Sequence, residues 1–318
     1  MRDSKAEAGA GVSLPSSDPS SAGESPTPPD RPSSARPSSA RPSSARLVSP
    51  GSARSLLLTL LGEFVSPKDQ PVWTSTLLGV LTGVGVAEKS ARQAIARAAA
   101  ADWIAARKDG RRVSWTLTAH GRRLIASGSV RVSSMSHAGA PWNGQWLVLM
   151  ITLPASHRER RVKLYRALNW AGFGNPSAGL WINPHSDRAD EARRLISSFD
   201  MSALTFAFIG RALDFGVSDQ QLVAQSWDLD AVADHYEALT ARFGRLRPGS
   251  GDAVLFNHVL LANARQRLPY VDPGLPSELL PGRWAGRKAA ARLEALRDEW
   301  RAAAHARWNE LARQEPAK

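Results

Sequence analysis

Two short runs of strand-forming residues between Ile104 and Thr116 meet at Lys108-Asp109-Gly110. Asp-Gly between such runs is among the strongest local signals for a β-hairpin. What precedes the hairpin is helical. Ser52 to Phe64 places Leu56, Leu57, Leu60, Leu61 and Phe64 at helical spacing, and Pro67 ends the pattern. A second helix reads from Trp73 to Thr82, Gly83 and Gly85 supply a turn, and a third helix runs from Glu88 to Ala101. Helix, turn, helix and then a hairpin restrict this segment to a winged helix-turn-helix arrangement.

The third helix has two unlike faces. Ala91, Ala94, Ile95 and Ala98 form a narrow inner stripe, while Lys89, Arg92, Gln93, Ala96 and Arg97 take the other side. A helix that enters a major groove needs a buried face to hold it and long donors to reach base edges and phosphates. Arg107, Lys108, Arg111 and Arg112 gather at the hairpin tip, where they would grip backbone phosphate. Trp103 and Trp115 flank the hairpin and would pack under it, and Thr118 can cap a further helix from Ala119 to Ser127 that carries Arg122 and Arg123.

The charge balance points to the same segment. The chain of 318 residues has 41 Lys+Arg against 29 Asp+Glu, a formal net charge of +12. Half of that excess, +6, lies between residues 52 and 130, so a polyanionic partner is sought there first. The first 46 residues carry only +1. They hold 13 Ser and 8 Pro, no aromatic residue, and three tandem RPSSA units from Arg31 to Ala45. Such a segment has too little apolar surface to offset the entropy of ordering, and residues 1–50 read as a disordered tail.

From Trp142 the pattern alternates. Gln145 to Leu153 reads as a strand buried on both faces, and His157 to Trp170 as an amphipathic helix. Leu180 to Ile182 is a short strand, Asp187 to Phe199 a helix, and Leu204 to Ile209 another strand. This suggests a βαββαβ ferredoxin-like domain over 141–216. After Trp227 the chain reads as a helical domain over 226–313, interrupted by the proline-rich connector VDPGLPSELLPGRWAG, Val271 to Gly286. Asp228, Asp230 and Asp234 read as a helix start, not a metal cluster. Ala289, Leu293, Leu296, Trp300, Ala304, Trp308 and Leu311 form a helical stripe that is either a dimer seam or buried within its own domain.

Several chemistries are excluded or unsupported. Absence of cysteine removes disulfides, thiolate zinc sites and cysteine nucleophiles. No phosphate loop, GxGxxG, GxSxG or HExxH pattern occurs, so no catalytic residue, metal or cofactor is assigned. The longest near-continuous apolar run, Trp146 to Leu153, is far short of the ~20 residues a membrane helix needs. No secretory signal is recognised, and a cytoplasmic location is expected.

Three strings then point to a family. SLLLTLLGEFV and GVAEKSARQAIARAAAADWIAARKDGRRVSWTLTAHGRRLI resemble the amino-terminal domain of the PaaX phenylacetate-catabolism repressors. WNGQWLVLMITLP and RALNWAGFGNPSAGLWINP look like its central domain, and VDPGLPSELLPGRWAG like its carboxy-terminal signature. Two departures stand out: Ala87 where the family usually has a capping serine, and Asp102 where a helix-ending glycine is usual.

The resemblance implies an α+β chain with a winged helix-turn-helix over 51–132, acting as a dimeric regulator of a catabolic operon. Lys89, Ser90, Arg92, Gln93 and Arg97 would read double-stranded operator DNA. An aryl-acyl-CoA such as phenylacetyl-CoA would release it, with Trp181, Arg265, Arg267 and Trp284 as effector candidates. The central domain resembles small ferredoxin-like nucleases, which place a metal-holding aspartate at the end of the first strand. Here Thr152, Leu153 and Pro154 stand there, so nuclease activity does not follow from the resemblance. The alternative readings are a metal-dependent nuclease and a nonspecific nucleic-acid-binding protein.

Overall fold

A computed structural model describes residues 51–136, 141–152, 158–213 and 215–314. The expectations for residues 1–50, and for Leu153 and Pro154, lie outside the described residues. The chain is a mixed α+β protein with two small antiparallel sheets and a helical carboxy-terminal region.

The first helix, α1 (Ala53–Leu60), starts where Ser52 accepts a hydrogen bond from the Ser55 amide at 3.2 Å. It continues as a wider π turn over Leu61–Val65. Leu56, Leu57, Leu60 and Leu61 are fully buried, each worth roughly 1.5–3 kcal/mol on transfer from water. Next come α2 (Thr74–Gly83) and α3 (Glu88–Ala100). Strand β1 (Val72–Trp73), which is too short to show periodicity, precedes α2 and pairs with β3 (Arg112–Leu117). Strand β2 (Ile104–Asp109) pairs with the other side of β3, so the sheet order is β1-β3-β2.

The hairpin turn falls one residue later than its sequence signal. Asp109 is still in the strand opposite Arg112, and the two-residue loop is Gly110-Arg111 with Gly110 at φ 58°. Helix α4 extends from Ala119 to Ser136, nine residues beyond the expected end. Thr118 caps it as expected, accepting from the Gly121 amide at 3.0 Å.

The second sheet is assembled from β4 (Trp146–Ile151), β5 (Gly174–Ser177), β6 (Leu180–Asn183) and β7 (Thr205–Gly210) in the order β5-β6-β4-β7. Helices α5 (Arg158–Trp170) and α6 (Ala189–Ser198) contribute Leu164, Leu168, Ala192 and Ile196 to the core against one face, where Leu147, Leu149 and Ile151 lie buried. The expectation that β4 is buried on both faces is corrected: Met150 stands about half exposed on the other face.

Four helices follow: α7 (Asp219–Ser226), α8 (Leu229–Phe243), α9 (Gly251–Gln266) and α10 (Ala285–Arg313). Asp228 caps α8 by accepting from the Ala231 amide at 3.1 Å, which is the helix-start role its acidic cluster suggested. The connector between α9 and α10 is irregular apart from single 3-10 turns at Leu268–Tyr270 and Ser277–Leu279. Half-buried Asp272 shapes it, accepting from Tyr236 Oη at 2.6 Å and from the Gly274 amide at 2.8 Å.

The stripe on α10 is resolved by its neighbours. Leu293, Leu296 and Trp300 pack with Val232, Leu239 and Leu261 of α8 and α9. Ala304 and Trp308 continue into the core of the first segment, where Trp308 stacks on Phe64 at 4.7 Å. The stripe is therefore buried within the chain and is not a free seam.

Candidate nucleic-acid interface

Helix α3 is held by its small residues. Ala91, Ala94, Ile95 and Ala98 are buried against α1 and α2 in the core that holds Leu57, Leu77 and Leu81. Lys89, Ser90, Arg92, Gln93 and Arg97 are all exposed. Ala87 is the N-cap residue and donates no side-chain cap. Arg92 folds back on Glu88 with contacts of 2.9 and 2.6 Å, each side chain 60% exposed. An exposed pair of this kind contributes little and can be exchanged for a phosphate.

Helix α3 ends in a tight reversal. The Trp103 amide donates to Ala98 O at 2.9 Å and the Asp102 amide to Ala99 O at 3.0 Å, with Asp102 at φ 55°. That is the hydrogen-bond pattern of a Schellman cap, with aspartate in the left-handed position glycine normally fills. The reversal aims the chain straight into β2. Only Ile104 of β2 is buried, so the strand stands clear of the body and carries Arg107 and Lys108 in solvent. Arg111 is exposed in the turn and Arg112 is half-buried beside it.

The base of this projection is fixed. Trp115 Nε1 donates to Thr74 Oγ1 at 2.9 Å, and Thr74 Oγ1 donates to Val113 O at 2.9 Å. Trp103 is buried with the Arg54 guanidinium 4.4 Å above its ring. A Cβ at Gly121 would lie 2.1 Å from Trp103 O, so α4 approaches the hairpin base more closely than any other residue permits. Arg122 pairs with Asp69 at 3.0 Å and is part of this support.

Trp181 and Trp284, two of the effector candidates, belong to different cores. Trp181 is buried in the core of the second sheet, edge-on to Tyr165 at 4.7 Å. Arg265 is buried and ion-paired with Glu294, and burial together with nearby Arg297 lowers its guanidinium to about 10. Arg267 is half-buried and close enough to His235 to act with burial in holding that imidazole down at about 4. Trp284 is half-buried at the start of α10, against the core of α8 and α9.

One polar cluster has no local sequence signal, because Glu63 lies about two hundred positions or more before its partners. Glu63, in the π turn, receives Arg297 Nη2 at 2.9 Å and His258 Nε2 at 3.0 Å, and His305 Nε2 lies 3.6 Å away. Burial opposes the charge on Glu63, but these three partners outweigh it and hold the carboxyl far below its ordinary range. Burial lowers His258 as well. The donor atoms of Glu63, His258 and His305 lie within 4.8 Å of one another. Arg297 already neutralises the carboxylate, so the group reads as an ionic tie from α1 to α9 and α10.

Comparison with known proteins agrees with this architecture. Three family models match consecutive segments: PaaX-like protein over 52–121, PaaX protein central Cas2-like domain over 139–223, and PaaX-like protein C-terminal domain over 227–310. The chain belongs to the PaaX family. It is 26% identical to the transcriptional repressor PaaX of Escherichia coli (strain K12) over 251 residues, 76% of this chain and 78% of that one. An uncharacterized protein from Mycobacterium tuberculosis shares the fold, with a TM-score of 0.55 and 23% identity over 82% of this chain and 98% of that chain.

Proposed function

We propose that this protein is a DNA-binding transcriptional repressor that reads its operator through a winged helix-turn-helix. The observation that carries the reading is the pairing of α3 with the hairpin. A helix seated by alanines presents Lys89, Ser90, Arg92, Gln93 and Arg97, and a rigidly based wing presents Arg107, Lys108, Arg111 and Arg112. Arg and Gln suit the bidentate donor patterns of guanine and adenine, while the wing cations suit phosphate. The resemblance to a named repressor supports the regulatory assignment.

In the same proposal the second sheet is a ferredoxin-like domain. Its order β5-β6-β4-β7 fits a βαββαβ chain in which the first and third strands lie at the centre. The segments 51–132, 141–216 and 226–313 act as three working parts in a homodimer located in the cytoplasm. An aryl-acyl-CoA, phenylacetyl-CoA by family analogy, binds between the central and carboxy-terminal parts and shifts the dimer to a spacing that misfits the half-sites. Arg267 and Trp284 are the half-exposed candidates for its phosphates and rings. Trp181 and Arg265 would act through the packing and ion pairing described above.

Fluorescence anisotropy of a labelled duplex from the chain's own upstream region, at fixed salt with unlabelled competitor, tests the reading. The expected result is binding that prefers the operator and is abolished by phenylacetyl-CoA but not by free phenylacetate or CoA. Binding no tighter than to competitor overturns the function. Operator preference indifferent to the ligand overturns the effector alone.

A further inference from the structure

Helix α5 carries five basic residues and one acidic one in thirteen, a net +4, against +5 for the whole of residues 131–318. One side of it is fixed: Leu164 and Leu168 are fully buried against the second sheet, and Tyr165 meets Trp181 edge-on. Arg160, Lys163 and Arg166 stand exposed on the other side. At three-residue steps they form one slanting line along the helix, about 9 Å long at the usual rise per residue.

The line is electrostatically unfavourable while nothing faces it. Like charges three positions apart repel on a helix, and Lys163 is three residues from both arginines. Arg158, Arg160 and Arg161 stand with a lone Glu159 in the first four positions, where the helix dipole disfavours cations. Exposed arginines on other helices are neutralised one turn away: Arg92 by Glu88, Arg193 by Asp190 and Arg301 by Asp298, at 2.6, 2.5 and 2.8 Å. Among the described residues, no acidic side chain pairs with Arg160, Lys163 or Arg166. Lys89, Arg97, Lys108 and Arg111 of α3 and the wing are unpaired in the same way.

We propose that the outer face of α5 is a second surface for double-stranded DNA, one that binds the phosphate backbone without regard to sequence. This goes beyond the operator reading: α3 and the wing choose the site, and α5 adds phosphate contacts only. Charge complementarity favours this partner. A duplex presents one negative charge per ~1.7 Å of its axis, a regular row that a line of long cations can follow, and each phosphate neutralised releases counterions. A membrane surface suits the face less well. Helices that lie on lipid set several large apolar side chains beside their cations, and Val162 is the one such residue exposed among those described on α5. The position of the helix agrees with the proposal. Trp170, at the end of α5, lies against Tyr270 with ring centroids 4.2 Å apart, and α4 packs on the same Leu268–Tyr270 turn. The line of cations therefore belongs to the same folded body as the hairpin base that α4 braces.

Anisotropy titration of the full chain against a labelled duplex of random sequence, over a salt series, tests this. Arg160→Ala/Lys163→Ala/Arg166→Ala should bind about tenfold or more weakly near 0.1 M salt, with a slope of log affinity against log salt shallower by about 2 to 3. Arg283→Ala/Arg287→Ala/Lys288→Ala removes the same charge from exposed side chains around the start of α10 and should leave the slope unchanged. Far-UV circular dichroism of the first variant should match wild type, because all three side chains are exposed. Should it misfold, Arg160→Gln/Lys163→Gln/Arg166→Gln must show the same losses. Unchanged affinity and slope, the outcome if the face serves an acidic protein instead, overturns the proposal, and so do equal losses from the two sets of alanines. Random-sequence DNA is read here without the operator, so a failure of operator preference leaves this result standing and the two readings fail separately.

Discussion

Asp102 shows how one residue can keep a turn that its side chain disfavours. The α3–β2 reversal needs a left-handed residue, and the aspartate adopts φ 55° to supply it. Such a conformation costs an L-residue about 1 kcal/mol or more, and glycine adopts it without that penalty. Asp102→Gly should therefore raise the melting temperature, the gain being on the order of 1 kcal/mol. A thermal melt followed by circular dichroism reads it, and an unchanged or lower midpoint would show that the aspartate contributes more than its strain. The conformational demand was legible beforehand, since Asp102 was recognised as standing at a glycine position. That the aspartate would meet the demand and keep both cap hydrogen bonds was not, because a sequence shows which residue is unusual but not what compensates for it.

At the scale of elements, α3 and the wing should be separable by experiment. A phosphate contact weakens binding to all sequences alike and lowers the salt dependence, whereas a base contact changes which sequence is preferred. Lys108→Ala/Arg111→Ala should lower affinity for operator and competitor together and reduce the slope of log affinity against log salt by about 1 per lost contact. Gln93→Ala should leave that slope unchanged and reduce operator preference. Anisotropy titrations over a salt series distinguish the two patterns.

Most elements were legible for physical reasons of this local kind. Periodicity located the helices, and Asp-Gly located the hairpin. Strand β1 was missed because two residues set up no period, β5 because its sequence GNPS holds only residues that strands disfavour, and the open half of the second sheet was missed because apolar residues read the same whether covered or bare. The ionic tie among Glu63, His258, Arg297 and His305 had no local signal at all.

For the whole molecule, that tie and two buried imidazoles set the response to acid. His235 is buried and its ring is held at about 4, below its ordinary 6.5, chiefly by burial and then by Arg267. The unfolded chain takes up that proton near 6.5 and the folded chain resists it to about 4, so stability is full above 6.5 and declines as the pH falls toward 4. His258, also lowered by burial, acts in the same direction. Below about 4.5 the carboxyl of Glu63 joins them: it is protonated in the unfolded chain while its partners keep it ionised in the fold. Melting midpoints measured between pH 4 and 8 should be level at the alkaline end and fall below 6.5. His235→Leu should flatten the upper part of that fall, and a profile identical to wild type would remove His235 from the account.

The core of the first segment includes Leu255, Val259, Ala304 and Trp308. It is thus closed by residues translated long after α4 has left the ribosome. At a synthesis rate of about 5–20 residues per second, the interval from Ser136 to Trp308 lasts on the order of ten to thirty seconds. During that interval α1, α2 and α3 have been made but lack one wall of their core. The first segment therefore completes its core only once α10 has been made.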